Sequence, residues 1–148
     1  MKPSLTVLFI LSVFVLVAGL VNAYSETISL PAKDSITRDV QVNAEDVVSG
    51  RVNIVGMAIN FSVTDPDDRV ILNHTVSNPL DFKFTATTSG VYQFHFENSY
   101  SDNAKHVTFN YNVQHYIFGF PQEFAILFVI VGVALVGVVI FVAMSPRP

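Results

Sequence analysis

Cysteine and tryptophan are absent from the 148 residues, and charged residues make up only 14% of them. Without cysteine there is no disulfide scaffold, no zinc–thiolate site, no thiol enzyme and no type 1 copper centre. Eight Lys+Arg stand against twelve Asp+Glu, a formal charge of −4, and no basic run occurs. That balance excludes a nucleic-acid binder, whose affinity would come from Lys and Arg on phosphates. Catalytic signatures are missing too: no nucleophile-elbow glycines, no phosphate-cradling loop, no His-Glu-x-x-His. The sequence therefore reads as a non-enzymatic protein without a cofactor.

What it has is hydrophobicity, 51% of residues, gathered at the two ends. Met1-Lys2-Pro3 supplies a positive start, and Val7 to Leu20 runs apolar except for Ser12. Val21-Asn22-Ala23 follows, so residues 1–23 read as a secretory signal cut between Ala23 and Tyr24. An uncleaved signal anchor is the alternative. At the other end, the 21 residues Phe124 to Met144 carry no charge, hydroxyl or amide. At about 1.5 Å per residue such a helix reaches roughly 30 Å, the thickness of a hydrocarbon core. It reads as one transmembrane helix, preceded by a membrane-proximal stalk, 118–123, and followed by a tail, 145–148. Export of the amino terminus places the intervening domain outside the cytoplasm, with Arg147 inside. Gly132 and Gly137 are five apart rather than four and read as lipid-facing filler.

Between these ends lie 94 residues, Tyr24 to Ile117, enough for one domain. Apolar and polar residues alternate there with period two, the strand signal. In Val91–Glu97, Tyr92, Phe94 and Phe96 share one face, and in His106–His115, Val107, Phe109, Tyr111 and Val113 do the same. Ile59, Phe61 and Val63 alternate with Asn60, Ser62 and Thr64. Further strands are expected at Thr27–Leu30, Ile36–Val42, Val47–Ile54, Val70–Val76 and Leu80–Ala86, separated by Ser49-Gly50, Asp65-Pro66-Asp67-Asp68, Asn78-Pro79 and Ser89-Gly90. About eight short strands predict an all-β fold, a jelly-roll-like antiparallel β-sandwich.

Few side chains nominate chemistry. Asn60-Phe61-Ser62 and Asn73-His74-Thr75 fit the N-glycosylation acceptor pattern, with chance occurrence as the alternative for each. Asp65, Asp67 and Asp68 lack the spaced ligands of a calcium loop and read as a solvated turn. His74, His95, His106 and His115 are scattered and read as polar-face or edge residues, so no metal site is expected. Pro121-Gln122-Glu123-Phe124 has the flavour of a prokaryotic Pro-Glu-Phe sorting tag, but Gln122 interrupts it and an ordinary interfacial start to the helix is preferred.

Gly90-Val91-Tyr92-Gln93-Phe94-His95-Phe96-Glu97-Asn98-Ser99-Tyr100-Ser101, followed by Ala104-Lys105-His106-Val107, resembles the GOLD (Golgi dynamics) family of β-sandwiches found in single-pass transmembrane cargo receptors of the early secretory pathway. The motif residues are Gly90, Tyr92, Phe94, Phe96, Asn98, Ser99, Ser101 and Lys105. Val48-Ser49-Gly50 and Phe61-Ser62-Val63-Thr64-Asp65-Pro66 sit where the family has similar elements. Of these residues, Gly90 permits a sharp turn into its strand, Asn98 and Ser99 are expected to tie the following loop to its backbone, and Lys105 is expected as a surface charge. Departures mark a divergent member: no Cys pair, no coiled-coil helix before the membrane, and a tail without aromatic or dibasic sorting signals. The resemblance thus implies the fold and a membrane-anchored module that recognises protein, or less readily lipid or glycan, near the bilayer in secretion or trafficking. It does not extend to coat-driven vesicle cycling. The other reading is an anchored envelope glycoprotein or an accessory subunit of a larger membrane complex. A protein partner or cargo is expected, nucleic acid is not, and homo-oligomers are compatible with either reading.

Overall fold

A computed structural model describes residues 23–117 and 119–144; of the signal expected over residues 1–23 all but Ala23, and the tail at 145–148, lie outside the described residues. Eight strands build the sandwich: β1 (Ala23–Leu30), β2 (Ser35–Val42), β3 (Val47–Val55), β4 (Ile59–Thr64), β5 (Val70–Val76), β6 (Leu80–Thr85), β7 (Gly90–Glu97) and β8 (Lys105–Gln114). Two-residue strands β9 (Tyr116–Ile117) and β10 (Phe120–Pro121) lead into helix α1 (Gln122–Met144).

The strands form two four-stranded sheets, ordered β1-β8-β3-β6 and β2-β7-β4-β5. Antiparallel pairing joins β1 to β8, β2 to β7, β3 to β6 and β4 to β5. This is one long hairpin folded over on itself, the winding of a jelly roll. Register keeps each apolar series inside: Val63 faces Phe94, Phe61 faces Phe96, and Val52 faces Phe109.

Phe61, Tyr92, Phe94, Phe96 and Phe109 are fully buried, with Phe82 beside them. Phe94 meets Phe109 with ring centroids 5.2 Å apart, and Phe96 meets Phe109 edge to face at 5.1 Å. Burying each ring is worth roughly 1.5–3 kcal/mol, and each tilted or edge contact adds about 0.5–1.5 kcal/mol. This aromatic centre holds the two layers without a covalent link. Gly50 lies in β3 where a side chain cannot fit: an added Cβ would stand 2.3 Å from the Asn110 carbonyl oxygen and 2.5 Å from Phe82 Cζ.

The residues from Ile117 onward form a separate unit. In α1, Phe124, Phe128, Val129, Val131, Val133, Leu135 and Val136 are exposed, while Ile126, Leu127 and Ile130 are half-buried. Among the described residues, no helix is long and apolar enough to cross a membrane.

Candidate functional site

The polar residues of the Gly90–Lys105 motif hold loops together at the end of the sandwich where β7 finishes and β8 starts. Asn98 is buried; its Nδ2 donates to the Pro31 carbonyl at 2.8 Å and to the Asn103 carbonyl at 2.9 Å. Its backbone N–H donates to the Asp34 carbonyl at 2.9 Å, and Lys33 N–H donates to the Ser101 carbonyl at 3.2 Å. One asparagine thus ties the β1–β2 loop to the β7–β8 loop, leaving its own Oδ1 buried without a partner. Asn98 secures its loop as expected, but Ser99 differs, since its hydroxyl donates to the Glu97 carboxylate and not to backbone. Within the loop, Ser101 Oγ accepts from Asn103 N–H at 3.2 Å.

Lys105 corrects the expectation of a surface charge. It is only 4% exposed, and its ammonium donates to the Ala58 carbonyl, fastening the first residue of β8 to the β3–β4 loop. The reason is parity: Lys105 opens the inward series of Val107 and Phe109, so its stem enters the core and its head reaches the nearest free carbonyl.

At the opposite end, the turn acids are not all solvated. Asp65 is buried; Oδ1 accepts from Asp67 N–H at 3.0 Å and Arg69 N–H at 2.9 Å, and Oδ2 accepts from Arg69 Nε at 2.8 Å. Removal from water pushes this carboxyl upward, but the Arg69 backbone and guanidinium and the Asp67 N–H together hold it below the ordinary value. With both oxygens occupied by donors, Asp65 acts as a turn lock. Gly90 is at φ +154°, and an added Cβ would lie 2.7 Å from Pro66 Cγ, so the motif glycine lets this turn pack against the start of β7.

Asp46 is buried too. It accepts from Asn43 N–H at 2.9 Å and meets His115 Nδ1 at 2.7 Å, which joins the β2–β3 loop to the residue after β8. His95 lies on the outer face of β7, 2.9 Å from Thr37 Oγ1, and His106 is exposed. His74 shares the inward parity of Leu72 and Val76 but remains exposed on β5, a sheet edge. Among the described residues, no three His, Cys, Asp or Glu side chains gather as metal ligands.

A further contact joins the layers where both end in edge strands. Arg38 of β2 reaches Glu26 of β1 through Nε at 3.0 Å and Nη2 at 2.6 Å. The Arg38 hydrogen bond lowers the Glu26 carboxyl and raises the guanidinium in return. Arg38 sits between Ile36 and Val40, an inward position that period-two reading could have flagged. Beside this pair opens a cleft of about 420 Å³ whose lining includes Tyr24, Asp39, Gln41, Tyr111 and His115. Tyr24 and Tyr111 lie ring to ring at 5.1 Å. Ala23, read with Tyr24 as the signal junction, is already in β1 and pairs with Asn112. Asn60 and Asn73 occupy the outer faces of β4 and β5. The large apolar side chains left bare at the Asn98 end are Val55, Met57 and Tyr100, the last 86% exposed.

Comparison with known proteins agrees with this architecture. The model of the emp24/gp25L/p24 family/GOLD matches residues 27–120. No curated protein matches the chain in sequence. Among solved structures, the periplasmic inhibitor of g-type lysozyme from Aeromonas hydrophila is 16% identical, covering 64% of this chain and 89% of its own, with a TM-score of 0.52. The pre-peptidase C-terminal domain of a Bacillus anthracis collagenase is 16% identical over 62% of this chain and 88% of its own, with a TM-score of 0.47. The first of these shares the sandwich fold.

Proposed function

We propose, because this chain belongs to the emp24/gp25L/p24 (GOLD) family, that it is a non-enzymatic, membrane-anchored module that binds protein partners close to the bilayer during secretion or trafficking. The family is a membrane-associated, non-enzymatic component of the secretory pathway. In the proposed arrangement, residues 1–23 are a leader removed after Ala23, 24–117 face away from the cytoplasm, and 118–123 form a short stalk. Residues 124–144 are then the single span, and 145–148 the cytoplasmic tail.

The observation that carries the binding role is how the buried polar groups are used. Asp46, Asn98 and Lys105 each hold a loop to another segment, and Asp65 locks its own turn. They stiffen both ends of the sandwich without converging on a common point, as suits a scaffold that presents rigid loops. The Asn98-held loop displays Tyr100, and the β3–β4 loop held by Lys105 displays Met57. Exposed aromatic and thioether side chains on fixed loops favour protein contacts. Support for the anchor comes from α1, whose residues from Phe124 to Gly137 are all apolar and mostly exposed, as suits contact with lipid.

A photo-crosslinking amino acid at position 100 of the full chain, activated in native membranes, tests this reading. A discrete crosslinked partner, reduced by Met57→Asp, is expected. Recovery of the uncrosslinked chain alone, from both crosslinking and detergent pull-down, would overturn it.

A further inference from the structure

The sandwich has four edge strands, β1, β6, β2 and β5. An edge presents unpaired backbone groups that template pairing with another chain, and folded proteins guard it with charge, proline, bulges or cover. Three of the edges here carry charge. Glu26 and Arg38 form an ion pair between β1 and β2, while β6 displays Asp81, paired with Arg51, and Lys83. Strand β5 reads Val70-Ile71-Leu72-Asn73-His74-Thr75-Val76, with no Asp, Glu, Lys or Arg, no proline and no glycine, and is guarded only near its start by a bulge at Ile71, which the register with β4 skips. Val70 is 61% exposed and Ile71 37%. Beyond the bulge, Leu72–Val76 pairs regularly with β4 and leaves an uncharged open edge, an aggregation hazard.

At its centre stands Asn73-His74-Thr75. Register places Asn73 opposite Ser62 and Thr75 opposite Asn60, so each acceptor asparagine faces the hydroxyl residue of the other triplet. Thr75 Oγ1 donates to Asn60 Oδ1 at 3.1 Å, a bond that uses the amide oxygen and leaves the nitrogen out of it. Asn73 points away from the core and is exposed. Both side chains therefore stand on the outer face of the sheet, Asn73 exposed and Asn60 partly so.

We infer that Asn73 is an N-glycan acceptor whose sugar guards the uncharged edge of β5, with Asn60 as its neighbour on the same face. The inference rests on the extracytoplasmic placement proposed above. The donor class is a lipid-linked oligosaccharide phosphate. Asn73 Nδ2 forms a bond to the anomeric carbon as the anomeric C–O bond to phosphate breaks. The lipid phosphate departs with the electron pair, and Nδ2 gives up one proton. A glycan here covers β5 and leaves the Tyr100 loop, at the end of the sandwich, free for partners.

The test exports the full chain through its own leader in a cell that N-glycosylates, and reads site occupancy by peptide mass spectrometry. Sugar on Asn73, lost in both Asn73→Gln and Thr75→Ala, is expected. Enzymatic removal of the sugar from the folded protein should then convert a monodisperse sample into self-associated species. Ile71→Lys, which restores an edge charge, should prevent that conversion. An unmodified Asn73, a deglycosylated protein that stays monodisperse, or a β5 edge found paired with a partner peptide would each overturn the inference. If Asn73 is bare while residues 24–117 resist protease on the cytosolic side, only this inference fails. If they are digested there, the placement fails with it.

Discussion

Replacing Asn98 separates a structural role for the motif asparagine from a recognition role. Its Nδ2 serves two carbonyls, Pro31 at 2.8 Å and Asn103 at 2.9 Å, within a buried site. Asn98→Ala deprives both carbonyls of a donor, at about 1–3 kcal/mol for each buried group left unsatisfied. The same change deletes the buried, unpartnered Oδ1 and recovers a similar amount for that atom. The net loss expected is about 1–3 kcal/mol. Asn98→Asp keeps the shape but turns an acceptor, or an unpaired charge, toward two carbonyl oxygens. An uncompensated buried charge costs on the order of 3–5 kcal/mol, so Asp should be worse than Ala. Urea unfolding of the full chain in detergent, followed by the far-UV signal of the sandwich, measures both at unchanged m. Limited proteolysis should show faster cleavage at Pro31–Asp34 as well as at Asn98–Ala104. An Asp variant as stable as the Ala variant, or an Ala variant as stable as the parent, would refute the clamp.

Lys105→Met keeps the buried stem while leaving the Ala58 carbonyl without its donor, and should cost about 1–3 kcal/mol in the same urea assay. Lys105→Glu should cost more, because a carboxylate would face that carbonyl. Gly50→Ala should lose about 1–3 kcal/mol or more, since the new methyl meets a backbone oxygen that cannot swing aside. In pH titrations of stability, the lowered Asp65 carboxyl contributes above its unfolded value near 3.9, and that contribution is lost as pH falls through the folded value. Asp65→Asn should therefore flatten the acid limb below about pH 4, and an unchanged limb would contradict the turn lock.

Strand parity carried most of the architecture. Val91–Glu97 and Val107–Val113 alternate so cleanly that their inner faces, and the aromatic core they build, were legible without coordinates. Strand β1 reaches back to Ala23, four residues before the expected Thr27, because Ala23–Glu26 carries no aliphatic alternation and pairing with β8 defines it. Lys105 had inward parity, but its charge suggested a surface position; the Ala58 carbonyl satisfies it, and Arg38 and Glu26, also inward in parity, satisfy each other. Asp46 and His115 stand 69 positions apart, a separation no local pattern bridges. The motif residues marked the family correctly, yet Asn98 and Lys105 act inside the scaffold, and the exposed contact candidates, Tyr100 and Met57, carry no local signature.

The decisive measurement is protease protection of the full chain in native membranes, with an antibody against the 24–117 segment and alkaline extraction in parallel. Protease on the cytosolic side should leave that segment intact until detergent is added, and alkali should leave the chain in the membrane pellet. Digestion without detergent, or release into the alkaline supernatant, would contradict a sandwich tethered on the far side of a bilayer by α1.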